Sequence, residues 1–380
     1  MKSFNVLLVT TSHNQLGDTG EKTGVWLEEL ATPYFTFKDA GANITIASPQ
    51  GGIVPLDPKS EQAAWQTPAT ERFTANPEAM AAIQNAVKLE QISAEEFDAL
   101  FIPGGHGPMW DLANNTALSR IIEAFDKKEK PIGAVCHGVV GLVGPESANG
   151  QALVDGLNVT SFTNAEEQAV GLTEVVPFLL ETRLKELGAI YHSAEDWAEY
   201  SVSDGHIITG QNPASSGLTA QKIIDRINNK TNMENIEKRK QVARSFFEAY
   251  RNQDPAAAAA LASDTGEFRY IPLGDNGKGL IKGTEGSTWE NIANALIGSF
   301  PDLTNEVQSI TIDNEGNAIV RVFIGGTQAK EIMGIPSKGK YYNVEHLFIL
   351  NINDQGLIEG ITCYWDNWDW FQQIGFNPAA

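Results

Sequence analysis

Short apolar runs alternate with amphipathic segments through the first 228 residues, and this alternation limits the possible folds more than any other feature. Two of the amphipathic segments, 117–130 and 174–188, have helical periodicity. The apolar runs predict buried strands at residues 5–12, 43–49, 99–105, 131–137, 157–163 and 206–212. Such a pattern predicts a mostly parallel β-sheet covered by helices on both faces. In sheets of this kind, ligands bind at the carboxyl ends of the strands.

The pattern changes after residue 228, where a polar stretch without apolar periodicity predicts a linker at 229–235. An amphipathic helix is predicted over 235–254, followed by an alanine-rich helix and several strand-like stretches. The sequence NINDQGLIEG predicts a hairpin with its turn at 354–356. Helices followed by antiparallel strands are typical of an α+β domain. We therefore expect two domains, 1–228 and 236–380.

Charge and cysteine content exclude several classes of function. The chain has 27 Lys and Arg against 48 Asp and Glu, a formal net charge of −21. Such a surface repels phosphate backbones, so we expect no nucleic-acid partner. No apolar run reaches the roughly 18 residues of a membrane helix, so we expect no membrane partner and a cytoplasmic protein. The only two cysteines, Cys136 and Cys363, do not suggest a disulfide framework.

Residues 131–142, PIGAVCHGVVGL, place Cys136 and His137 directly after an apolar run. A sharp turn from strand to helix would expose the cysteine at the edge of the sheet, near a helix N-terminus that favours the reactive thiolate. Gly138 would permit close packing at that turn. A buried structural cysteine fits this stretch equally well, because free cysteines are among the most buried residues. These residues alone leave both interpretations open.

Other stretches of the first domain support the nucleophile interpretation. TG-x-W-x-x-E-x-x-x-P-Y, ASP-x-GG-x-x-P-x-DP-x-S, PGGHG, AVCHG, VT-x-F and TGQNPASS occur in that order. This ordered set resembles the ThiJ/PfpI superfamily, a flavodoxin-like class of glutamine-amidotransferase-like proteins. Within it, the set is similar to the chaperone and glyoxalase III branch. The resemblance implies a flavodoxin-like doubly wound sheet over residues 1 to about 228.

The resemblance also assigns site residues. It places the nucleophile at Cys136 and the catalytic histidine at His137. The conserved glutamate lies four residues before a proline, which here indicates Glu29. The acidic partner of the histidine maps to Glu167, although the neighbouring Glu166 is an alternative. The oxyanion donors of the family are backbone N–H groups, here those of Gly105 and His137.

Members of this branch convert a 2-oxoaldehyde such as methylglyoxal to a 2-hydroxy acid without an added cofactor. The resemblance therefore implies a small carbonyl substrate, no cofactor and a homodimer. A holding chaperone or a cysteine redox sensor without turnover is the alternative. Two other histidines, His13 and His106, lie near predicted strand ends, where they could line the pocket, but a structural role is favoured. No pair of histidines has the spacing of metal ligands, so no metal site is predicted.

The second domain contains FFEAYRNQDPAAAAAL, KGTEG, SFPDLTNEV, FIGGTQ, MGIPSKGK and YWDNWDWFQQIGF, in that order. Together they resemble the SnoaL-like polyketide cyclase family, whose cone-shaped fold is related to nuclear transport factor 2. A curved sheet wrapped by helices forms a pocket in this fold. The acid/base aspartate of the cyclases maps to Asp366, and His346 is a second residue expected to face that pocket. Cys363 is interpreted as a strand residue. The domain could carry the main activity, or it could be a non-catalytic binding or dimerisation module.

Overall fold

The computed structural model describes residues 3–286 and 288–377. Its contacts divide the chain into two compact units, 1–229 and 230–380. Each unit has its own sheet and its own apolar core. The two units are described separately below.

The first unit is built around a seven-stranded sheet with the order β3-β2-β1-β4-β5-β9-β8. Every pairing in this sheet is parallel except that between β8 and β9. The strands of the unit are β1 Phe4–Val9, β2 Ala42–Ser48, β3 Val87–Lys88, β4 Ala99–Ile102, β5 Ile132–Val135, β6 Asn158–Val159, β7 Ile190–Tyr191, β8 Ser201–Asp204 and β9 Ile207–Gly210. The predicted doubly wound α/β class is confirmed.

Apolar cores cover both faces of this sheet, because successive side chains of a strand point to opposite faces. In β1, Leu7 and Val9 belong to one core, whereas Val6 and Leu8 belong to the other. The helices of the unit are α1 Leu27–Asp39, α2 Pro68–Thr74, α3 Pro77–Gln84, α4 Pro108–Asp111, α5 Thr116–Asp126, α6 Asn164–Ala169, α7 Leu180–Glu186 and the long α8 Ser216–Arg251.

Two predicted elements differ from the structure. The run 157–163 forms only the two-residue strand β6, which pairs with β7 in a separate small sheet. The rest of that run turns instead, and the Thr163 side chain caps α6. The predicted linker at 229–235 is helical and lies within α8. Its side chains are largely exposed, so apolar periodicity could not reveal this helix.

The second unit contains a six-stranded mixed sheet with the order β11-β10-β15-β14-β13-β12. Only the β10–β15 pairing is parallel among the described pairings. The remaining elements are α9 Pro255–Ala260, β10 Ala262–Tyr270, β11 Lys278–Leu280, α10 Trp289–Ser299, β12 Thr304–Ile312, β13 Ala318–Thr327, β14 Tyr341–Ile352, β15 Ile358–Trp365 and α11 Asn367–Ile374. The predicted hairpin joins β14 to β15, and Gly356 adopts a positive φ of 87° at its turn. Among the described residues, none of the helices is both long and apolar enough to cross a lipid bilayer.

Candidate active site

Cys136 lies where β5 ends, at a sharp backbone turn. Its φ is +56°, a left-handed conformation that non-glycine residues rarely adopt. The helical segment that begins here, Cys136–Leu142, is a 3₁₀ helix. Strained conformations of this kind cluster at functional sites, where the surrounding structure maintains them.

Two glycines allow the chain to turn so tightly. A Cβ atom on Gly138 would lie 2.2 Å from the Ile102 carbonyl oxygen. A Cβ atom on Gly104 would lie 2.7 Å from Oε2 of Glu29 and 2.8 Å from the amide nitrogen of His137. All three separations are shorter than a normal van der Waals contact of a Cβ atom. These positions therefore require glycine for steric reasons.

The side chains of Cys136, His137 and Glu167 form a chain of contacts. Nδ1 of His137 lies 3.4 Å from the Cys136 sulfur, and its Nε2 lies 2.6 Å from Oε2 of Glu167. Burial alone would raise the pKa of Glu167, but the charge of His137 and the hydrogen bonds with His106 and His137 outweigh it and hold the pKa well below its ordinary value. Because Glu167 is ionised, the Nε2 of His137 carries the proton and donates to it. Nδ1 then has a free lone pair that can accept the thiol proton.

His106 is a fourth member of the site that the sequence analysis interpreted as structural. Its Nε2 lies 3.0 Å from Oε1 of Glu167, and its ring centroid is 4.2 Å from that of His137. Burial lowers the pKa of His137, and the charge of His106 lowers it further. The two rings thus share one carboxylate. Only the position of His106 in the PGGHG loop, directly after β4, could have indicated this role.

Glu29 lies in the first turn of α1 and is fully buried. Its Oε2 accepts a hydrogen bond of 2.8 Å from the Gly104 amide. It also interacts with the Cys136 thiol. The contact between Glu29 and the thiol is not a regular hydrogen bond, since Oε1 of Glu29 has no hydrogen-bond partner among the described residues. Burial raises the pKa of Glu29 to about 8, so its carboxyl group is mostly protonated at neutral pH.

The thiol itself does not have the lowered pKa that the sequence analysis expected from a helix N-terminus. Burial raises the pKa of Cys136 well above its ordinary value, and the negative charge of Glu29 adds to the effect. The amide of His137 opposes this shift by donating to the sulfur. The resting state is therefore a neutral thiol beside a neutral carboxylic acid. Activation requires a base, and His137 is placed to supply it.

The structure distinguishes the two neighbouring glutamates of α6. Glu167 contacts the two histidines, whereas Oε1 of Glu166 accepts hydrogen bonds from the Trp197 amide and from the side chains of Gln211 and Asn212. Its Oε2 accepts from the Thr163 amide, which completes a capping box at the start of α6. Glu166 is thus a structural carboxylate.

The predicted oxyanion donors are the backbone amides of His137 and Gly105. The His137 amide points at the sulfur, as described above. Gly105 has a φ of +90°, and its Cα packs against the segment 24–26, because a Cβ there would lie 2.4 Å from the Gly24 oxygen. The oxyanion role of these two amides stays a prediction.

His106, His137 and Glu167 form the one group of three potential metal ligands among residues 3–286 and 288–377. One ligand atom each from His106, His137 and Glu167 lies within 4.8 Å of the others. In this arrangement both imidazole Nε2 atoms face the carboxylate as hydrogen-bond partners. The spacing of the histidines in the sequence predicts no metal site.

A cavity of about 50 Å³ lies in the second unit, and His346 contributes to its wall. Nδ1 of His346 lies 2.9 Å from the Val344 carbonyl oxygen, and burial lowers the pKa of His346 to about 4. His346 is therefore neutral at physiological pH. The rest of the wall is aromatic or aliphatic apart from a cysteine thiol and the tyrosine hydroxyls of Tyr250, Tyr270 and Tyr342.

The predicted acid/base residue of this unit, Asp366, is not part of that cavity. Asp366 is exposed and is the N-cap of α11, where Oδ1 accepts hydrogen bonds from the amides of Trp368 and Asp369. Helix capping turns its carboxylate towards the backbone of its own helix. Asp366 also borders a separate, open pocket together with His346 and Trp365, and its acid/base role stays a prediction. Cys363 lies buried on β15, as predicted.

Comparisons with known proteins relate the two units to two families. The DJ-1/PfpI family model matches residues 22–226, and the model of the SnoaL-like polyketide cyclases matches residues 240–374. Glyoxalase 3 of Candida albicans is 31% identical over 236 residues, which cover 58% of this chain and 96% of that protein. The glutathione-independent glyoxalase HSP31 of Saccharomyces cerevisiae is 28% identical over 241 residues, which cover 60% of this chain and 100% of that protein.

Solved structures show the same relationship. The Rapid Encystment Protein 24 kDa of Francisella tularensis is 42% identical, with a TM-score of 0.57; the match covers 59% of this chain and 99% of that one. Glyoxalase III of Candida albicans is 29% identical, with a TM-score of 0.56, and the match covers 59% and 98%. The predicted resemblances are confirmed: the chain belongs to the DJ-1/PfpI family, and a SnoaL-like domain follows its DJ-1/PfpI domain.

Proposed function

We propose that the first unit converts a small 2-oxoaldehyde to the corresponding 2-hydroxy acid, using Cys136 and no added cofactor. The observation that carries this proposal is the sequence of contacts from the Cys136 sulfur through His137 to Glu167, beside a buried and protonated Glu29. Relatives that are named glyoxalases, at about 30% identity over this unit, support the same reaction.

The reaction begins at the aldehyde carbon of the substrate. The sulfur of Cys136 adds to this carbon while His137 accepts the thiol proton at Nδ1. Glu29 donates its proton to the aldehyde oxygen, which forms a hemithioacetal. The ionised Glu29 then removes the hydrogen of that carbon as a proton, while the imidazolium of His137 protonates the ketone oxygen, which gives a neutral enediol and returns His137 to its neutral form. Glu29 delivers its proton to the former ketone carbon and takes up the proton of the hemithioacetal hydroxyl, so that it is protonated again. The product of these steps is a thioester of the 2-hydroxy acid.

Hydrolysis of the thioester completes the cycle. His137 takes a proton from water, the resulting hydroxide attacks the thioester carbon, and the sulfur leaves as thiolate and is reprotonated. The aldehyde carbon has been oxidised and the ketone carbon reduced, so no external oxidant or reductant is needed. One water molecule is consumed for each molecule of acid formed.

The other parts of the proposal concern the context of this site. We propose a cytoplasmic homodimer in which the SnoaL-like unit binds a small molecule in its own cavity. A redox-sensor function is disfavoured by the burial and raised pKa of the Cys136 thiol, because sensor cysteines are accessible thiolates. A holding chaperone would not require the contacts of Cys136 with His137 and Glu29.

The test is lactate formation from methylglyoxal by the full chain without glutathione. Cys136→Ala is expected to lower kcat/KM by on the order of 10³-fold or more. Cys363→Ala is the matched control, since it removes the other buried cysteine, and it should retain activity. Equal inactivity of wild type and Cys136→Ala, with both still suppressing aggregation of a client protein, would reject the enzyme and support the chaperone.

A further inference from the structure

Trp197 combines three features. Its φ is +65°, a conformation that is rare for a bulky residue. Its side chain is 48% exposed. Its amide donates a hydrogen bond of 2.8 Å to Oε1 of Glu166. Packing in a core does not explain an indole that is this exposed. A strained backbone conformation persists only where the surrounding structure maintains it.

Glu166 binds the backbone of Trp197 through this hydrogen bond. It is completely buried, and its carboxylate accepts four hydrogen bonds, all from uncharged amides of the same unit. A buried carboxylate is costly unless it is fully hydrogen-bonded. Because Glu166 accepts the hydrogen bond from the Trp197 amide, it connects the backbone at Trp197 to α6, which also carries Glu167.

The Phe162 ring contacts both the indole of Trp197 and the imidazole of His137. The indole centroid lies 5.7 Å from that of Phe162 in an edge-to-face arrangement. The Phe162 ring in turn lies 4.5 Å from His137, and its amide lies 3.5 Å from the Cys136 carbonyl oxygen. Phe162 and Trp197, here called the aromatic wall, thus extend from the reacting groups to the surface.

The charges of the site restrict the molecules that could lie against this wall. The hydrogen bonds and ion pairs described for Glu29, Glu166 and Glu167 involve no Lys or Arg. The chain as a whole carries a net charge of −21. A substituent that bears a negative charge would therefore be repelled without a compensating cation. A neutral apolar ring would bury the exposed indole face.

Resting on the proposed function, we propose that the aromatic wall is a specificity determinant, which selects neutral 2-oxoaldehydes with an aromatic or bulky apolar substituent over methylglyoxal. The aldehyde carbon meets Cys136 while the substituent lies against Trp197. The roles of the adjacent glutamates are then complementary. Glu167 orients the base, and Glu166 positions the surface that recognises the substrate.

The first measurement is the ratio of kcat/KM for phenylglyoxal to that for methylglyoxal. Wild type should prefer phenylglyoxal, and Trp197→Asn should lower the ratio by about tenfold. Asparagine tolerates a positive φ, so this variant should fold as well as wild type, which thermal unfolding by circular dichroism checks. Trp197→Phe retains an aromatic ring and should retain most of the preference. Trp368→Ala removes a similarly exposed indole from the second unit and is the matched control.

The second measurement does not depend on turnover. Calorimetric titration of Cys136→Ala compares 2-hydroxyacetophenone with hydroxyacetone, which share the neutral hydroxyketone group. We expect tighter binding of the aryl ketone, and loss of that preference when Trp197→Asn is added. If methylglyoxal is converted but neither assay depends on Trp197, the wall is rejected and the proposed function stands. If no oxoaldehyde is converted but binding depends on Trp197, the proposed function fails and the wall stands.

Discussion

The predicted acid/base residues of the two units differ in their burial and contacts. In the first unit, Cys136, His137, Glu29 and Glu167 are buried and in contact at the carboxyl end of a parallel sheet. In the second unit, Asp366 lies outside the cavity and caps a helix. A matched motif thus locates a residue in the chain, but the hydrogen bonds of its own backbone decide where the side chain points. The predictions below test this contrast.

The largest effect is expected from the carboxylate that orients His137. Glu167→Gln removes the negative charge that holds the imidazole and keeps its proton on Nε2. We expect kcat/KM for the preferred 2-oxoaldehyde to fall by on the order of 10²-fold or more. Glu166→Gln, the adjacent control, should mainly lower stability and substrate preference. Similar losses of turnover in both variants would contradict the separate roles assigned to these residues.

Removal of the buried acid should affect both turnover and the pH profile. Glu29→Gln cannot shuttle a proton, so we expect about a 100-fold loss in kcat. In wild type, kcat/KM should decline as pH rises through about 8, because Glu29 must begin the cycle protonated. A pH–rate profile that stays level from pH 7 to 9 would contradict this assignment.

The same carboxyl group should make stability depend on pH. Its pKa is about 8 in the folded state, against an ordinary value of 4.5. Between these values the folded state retains a proton that the unfolded state releases, so the free energy of unfolding should fall as pH rises from about 4.5 to 8. Urea denaturation of Glu29→Gln should lack this contribution. A parallel pH dependence in both proteins would show that Glu29 does not titrate in this way.

A smaller effect is expected at His106. His106→Gln should lower kcat/KM by about tenfold, since Glu167 loses one of its two partners. Because the charge of His106 lowers the pKa of His137, its removal should also move the acid limb of the profile to higher pH. His192→Gln changes an exposed histidine that contacts Asn158 and should leave the profile unchanged. An unshifted limb in His106→Gln would indicate a purely structural histidine.

The smallest effect on turnover is expected at Asp366. Asp366→Ala removes two hydrogen bonds at the start of α11 and should cost about 1 kcal/mol in the free energy of unfolding. Methylglyoxal turnover should not change. Asp366→Asn can still cap the helix and should recover most of the stability. Loss of turnover in both variants would return Asp366 to a catalytic role.

Two carboxylates, Glu166 and Asp366, accept hydrogen bonds from backbone amides at helix N-termini. Thr163 and Glu166 are spaced as a capping box, and Asp366 is followed by a helical pattern. Both signals were present in the sequence and predict side chains that turn back to a helix N-terminus. The doubly wound sheet could be predicted, because its apolar runs are buried on both faces. The position of His106 in the loop after β4 indicates that it lies near the site, but its contact with Glu167 could not be predicted, since it depends on how that loop lies beside α6.

The contrast between the two cysteines gives the most direct test of the central claim. Full-length protein is mixed with methylglyoxal for a single turnover, quenched in acid and digested, and its peptides are analysed by mass spectrometry before and after hydroxylamine. The account predicts a hydroxylamine-sensitive lactoyl thioester on the peptide that contains Cys136 and none on the peptide that contains Cys363. Lactate formation without that adduct in wild type, or undiminished lactate formation in Cys136→Ala, would contradict it.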